Sequence, residues 1–184
     1  MENNLSPNKR DQDSHSVNLT KENEMIKIKS INGEVIHKVN GNTLEGADLR
    51  HANLVEADLR HANLTGADLR YANLEDANLM SAYLVGANLE CANLEGANLT
   101  DADLRSVNLN DADLRYANLE DADLEGANLT DTDLEGAILS GANLTGSNYC
   151  DANLTGADLA NTIIAGDTTI QRIDEDPNKD FDYV

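Results

Sequence analysis

The sequence predicts an all-β solenoid, a coil of short extended segments with four sides per turn. Two observations predict it. From Asn42 to Gly166 one five-residue phrase repeats without a gap: Ala, then Asp or Asn, then Leu, then two variable residues. Within that phrase Gly recurs in the last slot every 20 residues, at 46, 66, 86, 126, 146 and 166, with Ser106 filling the gap in the series.

Stepping by five from Leu44 to Ile164 gives 25 centres, of which 23 are Leu; Tyr149 and Ile164 are the exceptions. The residue two before the centre is Ala except at Asn42, Val107, Thr132, Ser147 and Thr162. The residue one before is Asn or Asp except at Thr43, Tyr83, Ile138 and Ile163. A period of five is neither the 3.6 of a helix nor the 2 of a flat strand. In extended chain, Ala and Leu two apart point to one face and the Asn or Asp between them to the other. The two variable residues must then turn a corner so that the next Ala again points inward. Such a repeat reads as a solenoid in which each coil contacts only its neighbours. The 20-residue super-period sets four sides per turn, with Gly favoured at one corner for its backbone freedom.

Runs such as ADLRHANLTGADLRYANLEDANL (57–79) resemble the pentapeptide-repeat family, whose units read A(D/N)LXX. The resemblance covers about two thirds of the chain. It implies a right-handed quadrilateral β-helix with the centre Leu and the preceding Ala filling the interior. Twenty-five units would make about six coils, a rod about 30 Å long at roughly 4.8 Å per coil.

The composition fits a narrow rod. With one Phe, no Trp and 3% aromatic residues, a globular core would be hard to fill. Stacked Leu and Ala suffice for a solenoid, each buried Leu contributing roughly 1.5–3 kcal/mol against chain entropy. A Leu→Asp change at Leu94 or Leu99 is expected to break the stack mid-rod.

In chain order, residues 1–24 are polar, charged and aperiodic, and read as a disordered leader. Val17 to Thr20 echoes the repeat once. Residues 25–41 read as a hairpin: Ile26, Ile28 and Ile31 precede Asn32-Gly33, and Val35, Ile36 and Val39 follow it. Asn-Gly between apolar runs favours a turn with positive φ at both positions. This hairpin is expected to cap the N-terminal edge of the β-helix at 42–166, because an open edge would recruit another chain. Residues 167–184 read as a C-terminal cap and an acidic tail ending in the apolar cluster Phe181, Tyr183 and Val184. That cluster has two alternatives, folding back over the last coil or meeting a second subunit in a homodimer through an end coil.

The net charge of −21 is unevenly divided along the chain. Residues 1–40 are balanced, whereas 41–166 carry five Arg, no Lys and 22 acids. Wrapped around four sides, the rod's charge is spread nearly evenly. About 30 Å of B-DNA carries roughly 18 charges, close to the rod's total of −17. The family resemblance implies one matching role, since some members are DNA mimics that bind type II topoisomerases such as gyrase. Arg50, Arg60 and Arg70, with His51 and His61, make the first coils less negative and count against it. So do the missing insertion loop of the quinolone-resistance members and the lack of Phe at any centre. The plainer reading is a solvated acidic surface that keeps the rod soluble.

One column is the candidate contact surface. Asp111, Asp131 and Asp151 lie 20 apart and should stack on successive coils, as should Asp101 and Asp121 on another side. Unit charges ~4.8 Å apart repel by about 1 kcal/mol in water. A cation, or a partner's Lys and Arg, would relieve that repulsion, which gives a third reading as a surface cation-binding protein.

Other chemistry fades. His51 and His61 fall on opposite sides of the rod, and no Cys/His set has zinc spacing. Cys91 and Cys150, three coils apart, are too distant for a disulfide and read as incidental surface substitutions. There is no GxGxxG or P-loop, and the repeat brings no Ser, His and acid together. The expected interior is dry and leaves no substrate pocket. No apolar run approaches the ~18 residues of a membrane span, and the first residues lack a secretory apolar segment. The expectation is a cytoplasmic, non-catalytic protein-binding or scaffold protein, with no cofactor, no metal, no membrane and no direct nucleic-acid contact, whose partner is another protein.

Overall fold

The structure, a computed structural model, describes residues 25–164. The expected leader at 1–24 and the C-terminal cap and tail at 167–184 lie outside the described residues, as does Gly166.

Each repeat unit contributes one bridged residue to a side of the rod. The Asn or Asp before each centre pairs in parallel with its counterpart 20 residues later, from Asp48↔Asp68 to Asn143↔Ile163. A coil is therefore four units, and the sides are named here by their first centres, Leu44, Leu49, Leu54 and Leu59. Three hydrogen bonds tie each unit to the next coil: Leu69 N–H donates to the Asn88 carbonyl at 2.7 Å, Asn88 N–H to the Ala67 carbonyl at 2.9 Å, and the corner Tyr71 N–H to the Glu90 carbonyl at 3.1 Å. The interior is stacked Leu and Ala, with every centre from Leu44 to Leu144 at most 5% exposed. Inward departures from Ala are satisfied locally. Thr132 buries its hydroxyl by donating to the Leu109 carbonyl at 2.8 Å, and Thr162 does the same to Leu139 at 2.9 Å.

The corners are four-residue turns. Ala47 N–H donates back to the Leu44 carbonyl at 3.1 Å, and the pattern recurs unit after unit. The third turn residue takes positive φ and the second does not, as in a type II turn, which favours Gly or Asn there. Gly is expected at one corner for its backbone freedom, and the structure shows that every corner uses that freedom. The left-handed conformation occurs at all four corners, and His51, Glu56, His61, Tyr71 and Asp111 adopt it, with φ between 54° and 59°.

β1 (Met25–Lys29) and β2 (Val35–Asn40) form an antiparallel hairpin with an irregularity between Ile28 and Lys29. Its turn differs from the expected Asn-Gly type. Gly33 N–H donates to the Ser30 carbonyl at 2.8 Å, Ser30 N–H to the Glu34 carbonyl at 2.8 Å, and only Gly33 has positive φ. That is a turn over Ile31-Asn32 followed by a left-handed Gly, the three-residue hairpin loop. Ile26, Ile28 and Val39 join the same apolar cluster as Leu44 and Leu49, while Ile31 and Val35, expected to flank the turn as apolar partners, are exposed. The hairpin also pairs with the rod: Ser30 bridges Ala57 antiparallel, Ile31 N–H donates to the Glu56 carbonyl and Asp58 N–H to the Lys29 carbonyl, both at 2.8 Å.

Candidate interaction surface

The expected Asp column is assembled as spaced. Corner residues point outward because the turn directs the flanking Ala and Leu inward, and Asp101, Asp111, Asp121, Asp131 and Asp151 are all exposed. The corner after the Leu49 side stacks His51, Tyr71, Cys91, Asp111, Asp131 and Asp151. At its start the His51 and Tyr71 rings lie 5.1 Å apart and nearly parallel. At its other end Asp131 and Asp151 act on one thiol. Cys150 Sγ donates to Asp151 Oδ2 at 3.2 Å, and that bond, burial and the charges of Asp151 and Asp131 push the thiol pKa up. Asp111 accepts from Asn110 Nδ2 at 2.6 Å. The corner after the Leu59 side stacks Asp101 and Asp121, and the Asp121 carboxylate fills the space that a Cβ on Gly141 would need.

The backbone supplies its own reason for these aspartates. All five occupy left-handed corner positions, φ 55–58°, where Asp and Asn are enriched because a short polar side chain tolerates the conformation. Among the described residues no group of three or more His, Cys, Asp or Glu is placed to hold a metal ion, so the cation-binding reading is not carried further. Both cysteines are free and half-buried.

The sequence reading missed how the charges pair. All five rod arginines fork the Asp two residues earlier. Arg70 Nε donates to Asp68 Oδ1 at 2.9 Å and its Nη2 to Oδ2 at 2.7 Å; Arg50, Arg60, Arg105 and Arg115 repeat the geometry on Asp48, Asp58, Asp103 and Asp113. Both side chains leave the same side of the rod, one from its middle and one from its corner. Every rod Arg follows Asp-Leu, a spacing that shows the pairing only once the corner is built. These forks hold the five carboxyls below the ordinary carboxylate range, Asp48 at about 2, chiefly through the side-chain bonds from Arg. The arginines therefore act as internal counterions of the repeat.

Asparagines in the same slot form ladders. Asn128 Nδ2 donates to Asn108 Oδ1 at 2.9 Å, and Asn108 Nδ2 to Asn88 Oδ1 at 3.0 Å. Each Oδ1 also accepts from the backbone two residues on, as Glu90 N–H donates to Asn88 at 3.1 Å. Tyr83 breaks this pattern on the Leu44 side and is 53% exposed.

The rod's ends differ from its middle. An open hollow at the N-terminal end is lined by Lys38, Asn40, Asn42, Thr43 and Glu45. The interior opens at the other end between Leu144, Tyr149, Leu154, Leu159 and Ile164. No helix among the described residues is long and apolar enough to cross a membrane.

A family model for pentapeptide repeats matches residues 44–79, 77–115, 108–146 and 137–166, in eight copies. No curated protein matches the sequence. Among solved structures, the chain is 39% identical to Rfr23, a pentapeptide repeat protein of the cyanobacterium Cyanothece 51142, covering 56% of this chain and 64% of that one with a TM-score of 0.37. It is 36% identical to HetL of Nostoc sp. strain PCC 7120, a pentapeptide repeat protein involved in heterocyst differentiation regulation, covering 65% and 69% with a TM-score of 0.33. A pentapeptide repeat protein of the Arabidopsis thaliana thylakoid lumen is 33% identical, covering 56% and 65% with a TM-score of 0.37. The chain thus spans about two thirds of the length of these matches. With its 20-residue coils and A(D/N)LXX units, it belongs to the pentapeptide repeat family, and its fold is that family's quadrilateral β-helix.

Proposed function

We propose that the chain is a non-catalytic protein-binding rod of about six coils, from residue 42 to 166, that presents an acidic outer surface to another protein. The hairpin at 25–41 serves as its N-terminal cap. One observation carries this reading. Leu and Ala fill the interior from Leu44 to Leu144, so nearly all charged side chains, and the aromatic rings of Tyr71, Tyr83 and Tyr116, stand outside. Spread in this way they suit recognition by a broad surface rather than enclosure of a small substrate. Ile26 and Ile28 fit the cap, since both are buried and Ser30 at the strand's end pairs with the coil at Ala57.

The test is affinity capture from a bacterial lysate with the intact chain and with a variant carrying Asp111→Asn, Asp131→Asn and Asp151→Asn. A protein recovered by the first and lost by the second supports the reading and locates its contact. Topoisomerase subunits in that position would assign the DNA-mimic role instead. Identical recovery by both would remove the Asp column as a contact, and recovery of nothing specific would sink the reading.

A further inference from the structure

We infer that the Leu44 side around Tyr83 is the docking face for a partner protein segment that carries an apolar side chain followed by Lys or Arg. The inference rests on the protein-binding reading and names the face and the partner's chemistry.

Tyr83 takes the slot in which Asn or Asp elsewhere bonds to the neighbouring coils and accepts from the backbone two residues on. A phenol ring can supply neither bond in that geometry. Nothing in the rod's packing calls for the ring either, since it is 53% exposed. The corners on both sides of it are apolar too. Met80 precedes and Val85 follows, both half-buried, so Met80, Tyr83 and Val85 give one coil a band of three outward apolar side chains, interrupted only by Ser81. Ile138, exposed in the same slot on the Leu59 side, has no such flanks: Glu135 and Ser140 stand where Met80 and Val85 do here. Exposed aromatic side chains of this kind are the anchors of protein interfaces.

The charge beside the band selects the occupant. Tyr83 bridges directly to Asp103, which bridges to Asp123 on the next coil. Arg105 occupies those two, at 2.6 Å and 3.7 Å. The corner between Met80 and Tyr83 continues into Asp101 and Asp121, both exposed and neither in an ion pair among the described residues. These carboxylates lie one and two coils beyond the ring, about 5 and 10 Å along the axis. An extended segment running along the rod advances about 3.3 Å per residue, so a basic residue two or three positions after the apolar one reaches them. An acidic segment, or nucleic acid, would be repelled.

The test pans a library of random 12-residue peptides against the immobilised full chain. Binders are then titrated against the intact chain, Tyr83→Asn, Val85→Thr, Asp101→Asn with Asp121→Asn, and Ile138→Asn. Asn63, Thr65 and Asn118 occupy the positions equivalent to 83, 85 and 138 one coil earlier, and Asn tolerates the left-handed corners at 101 and 121, so these variants should keep the circular dichroism and melting curve of the intact chain. The expected binders carry an apolar residue followed within two or three positions by Lys or Arg. They should lose at least tenfold in affinity on Tyr83→Asn and on the double Asp variant, weaken on Val85→Thr, and be unchanged on Ile138→Asn. Binders without that pattern, binders that hold Tyr83→Asn equally well, or no enrichment would overturn the inference. A lysate partner retained in full by Tyr83→Asn would overturn this face and leave the protein-binding reading standing, whereas a lysate yielding no specific partner fails that broader reading.

Discussion

Arg60 forks Asp58 beneath the hairpin, with Nε donating to Oδ1 at 2.7 Å and Nη2 to Oδ2 at 2.8 Å. Asp58 is 6% exposed, and its own N–H donates to the Lys29 carbonyl of β1. Arg50 makes the same fork on Asp48 in the open, where both side chains are about half exposed. The two pairs have one chemistry and two environments. Arg60→Leu leaves a buried carboxylate without its partner and should cost about 1–3 kcal/mol. Arg50→Leu should cost far less, because water and salt already screen an exposed pair. Urea denaturation of the two variants checks the order.

The same forks set a pH window. Asp48 has its pKa lowered to about 2 by Arg50, against about 3.9 in unfolded chain. A carboxyl with a depressed folded pKa adds stability that is complete above the unfolded value and lost as pH falls through the folded one. The difference in melting temperature between the intact chain and Arg50→Gln should therefore hold above about pH 4 and vanish towards about pH 2. A difference that persists unchanged to lower pH would show that the fork is not what Arg50 contributes.

Corner residues obey the backbone before they obey any partner. Asp111 has φ 56°. Asp111→Val puts a β-branched residue in the left-handed region and should cost roughly 1–2 kcal/mol. Asp111→Gly should leave stability unchanged or raise it, since Gly meets no steric penalty there. If both variants melt like the intact chain, the corner geometry is not constraining. If Asp111→Gly folds well and still loses a captured partner, the carboxylate itself is the contact.

Mid-rod burial predicts the largest effect. Leu94 is 1% exposed, with coils stacked on both sides of it. Leu94→Ala should cost about 2–5 kcal/mol through the cavity it leaves. Leu94→Asp places an unpaired charge in that cavity and should abolish cooperative unfolding, read as loss of the β signal in circular dichroism. Because each coil touches only its neighbours, the damage should spread from the middle outward rather than stay local.

The Leu and Ala columns were legible because inward residues are set by one rule, burial, repeated every five positions. The 20-residue coil was legible from Gly, although the left-handed turn it marks is shared by every corner. Three features were not. Asn32-Gly33 announced a hairpin, but Gly33 alone takes positive φ, because Ser30 and Glu34 pair and lengthen the loop to three residues. The Asp–Arg forks need two outward side chains to leave one side at different points, a relation that spacing shows only once the corner is built. Tyr83 read as a mere departure from the repeat, and its meaning came from its exposed ring and from Met80 and Val85 on the same coil.

The central claim is that this rod works by its outer surface on another protein. The most direct measurement is quantitative affinity capture with the intact chain beside an unrelated acidic protein of the same net charge, at about 0.15 M salt, where the Debye length is near 8 Å. The account predicts a partner enriched at least tenfold on the rod over the charge-matched control. Recovery of the same proteins in the same amounts by both would mean that charge alone is recognised, and would contradict it.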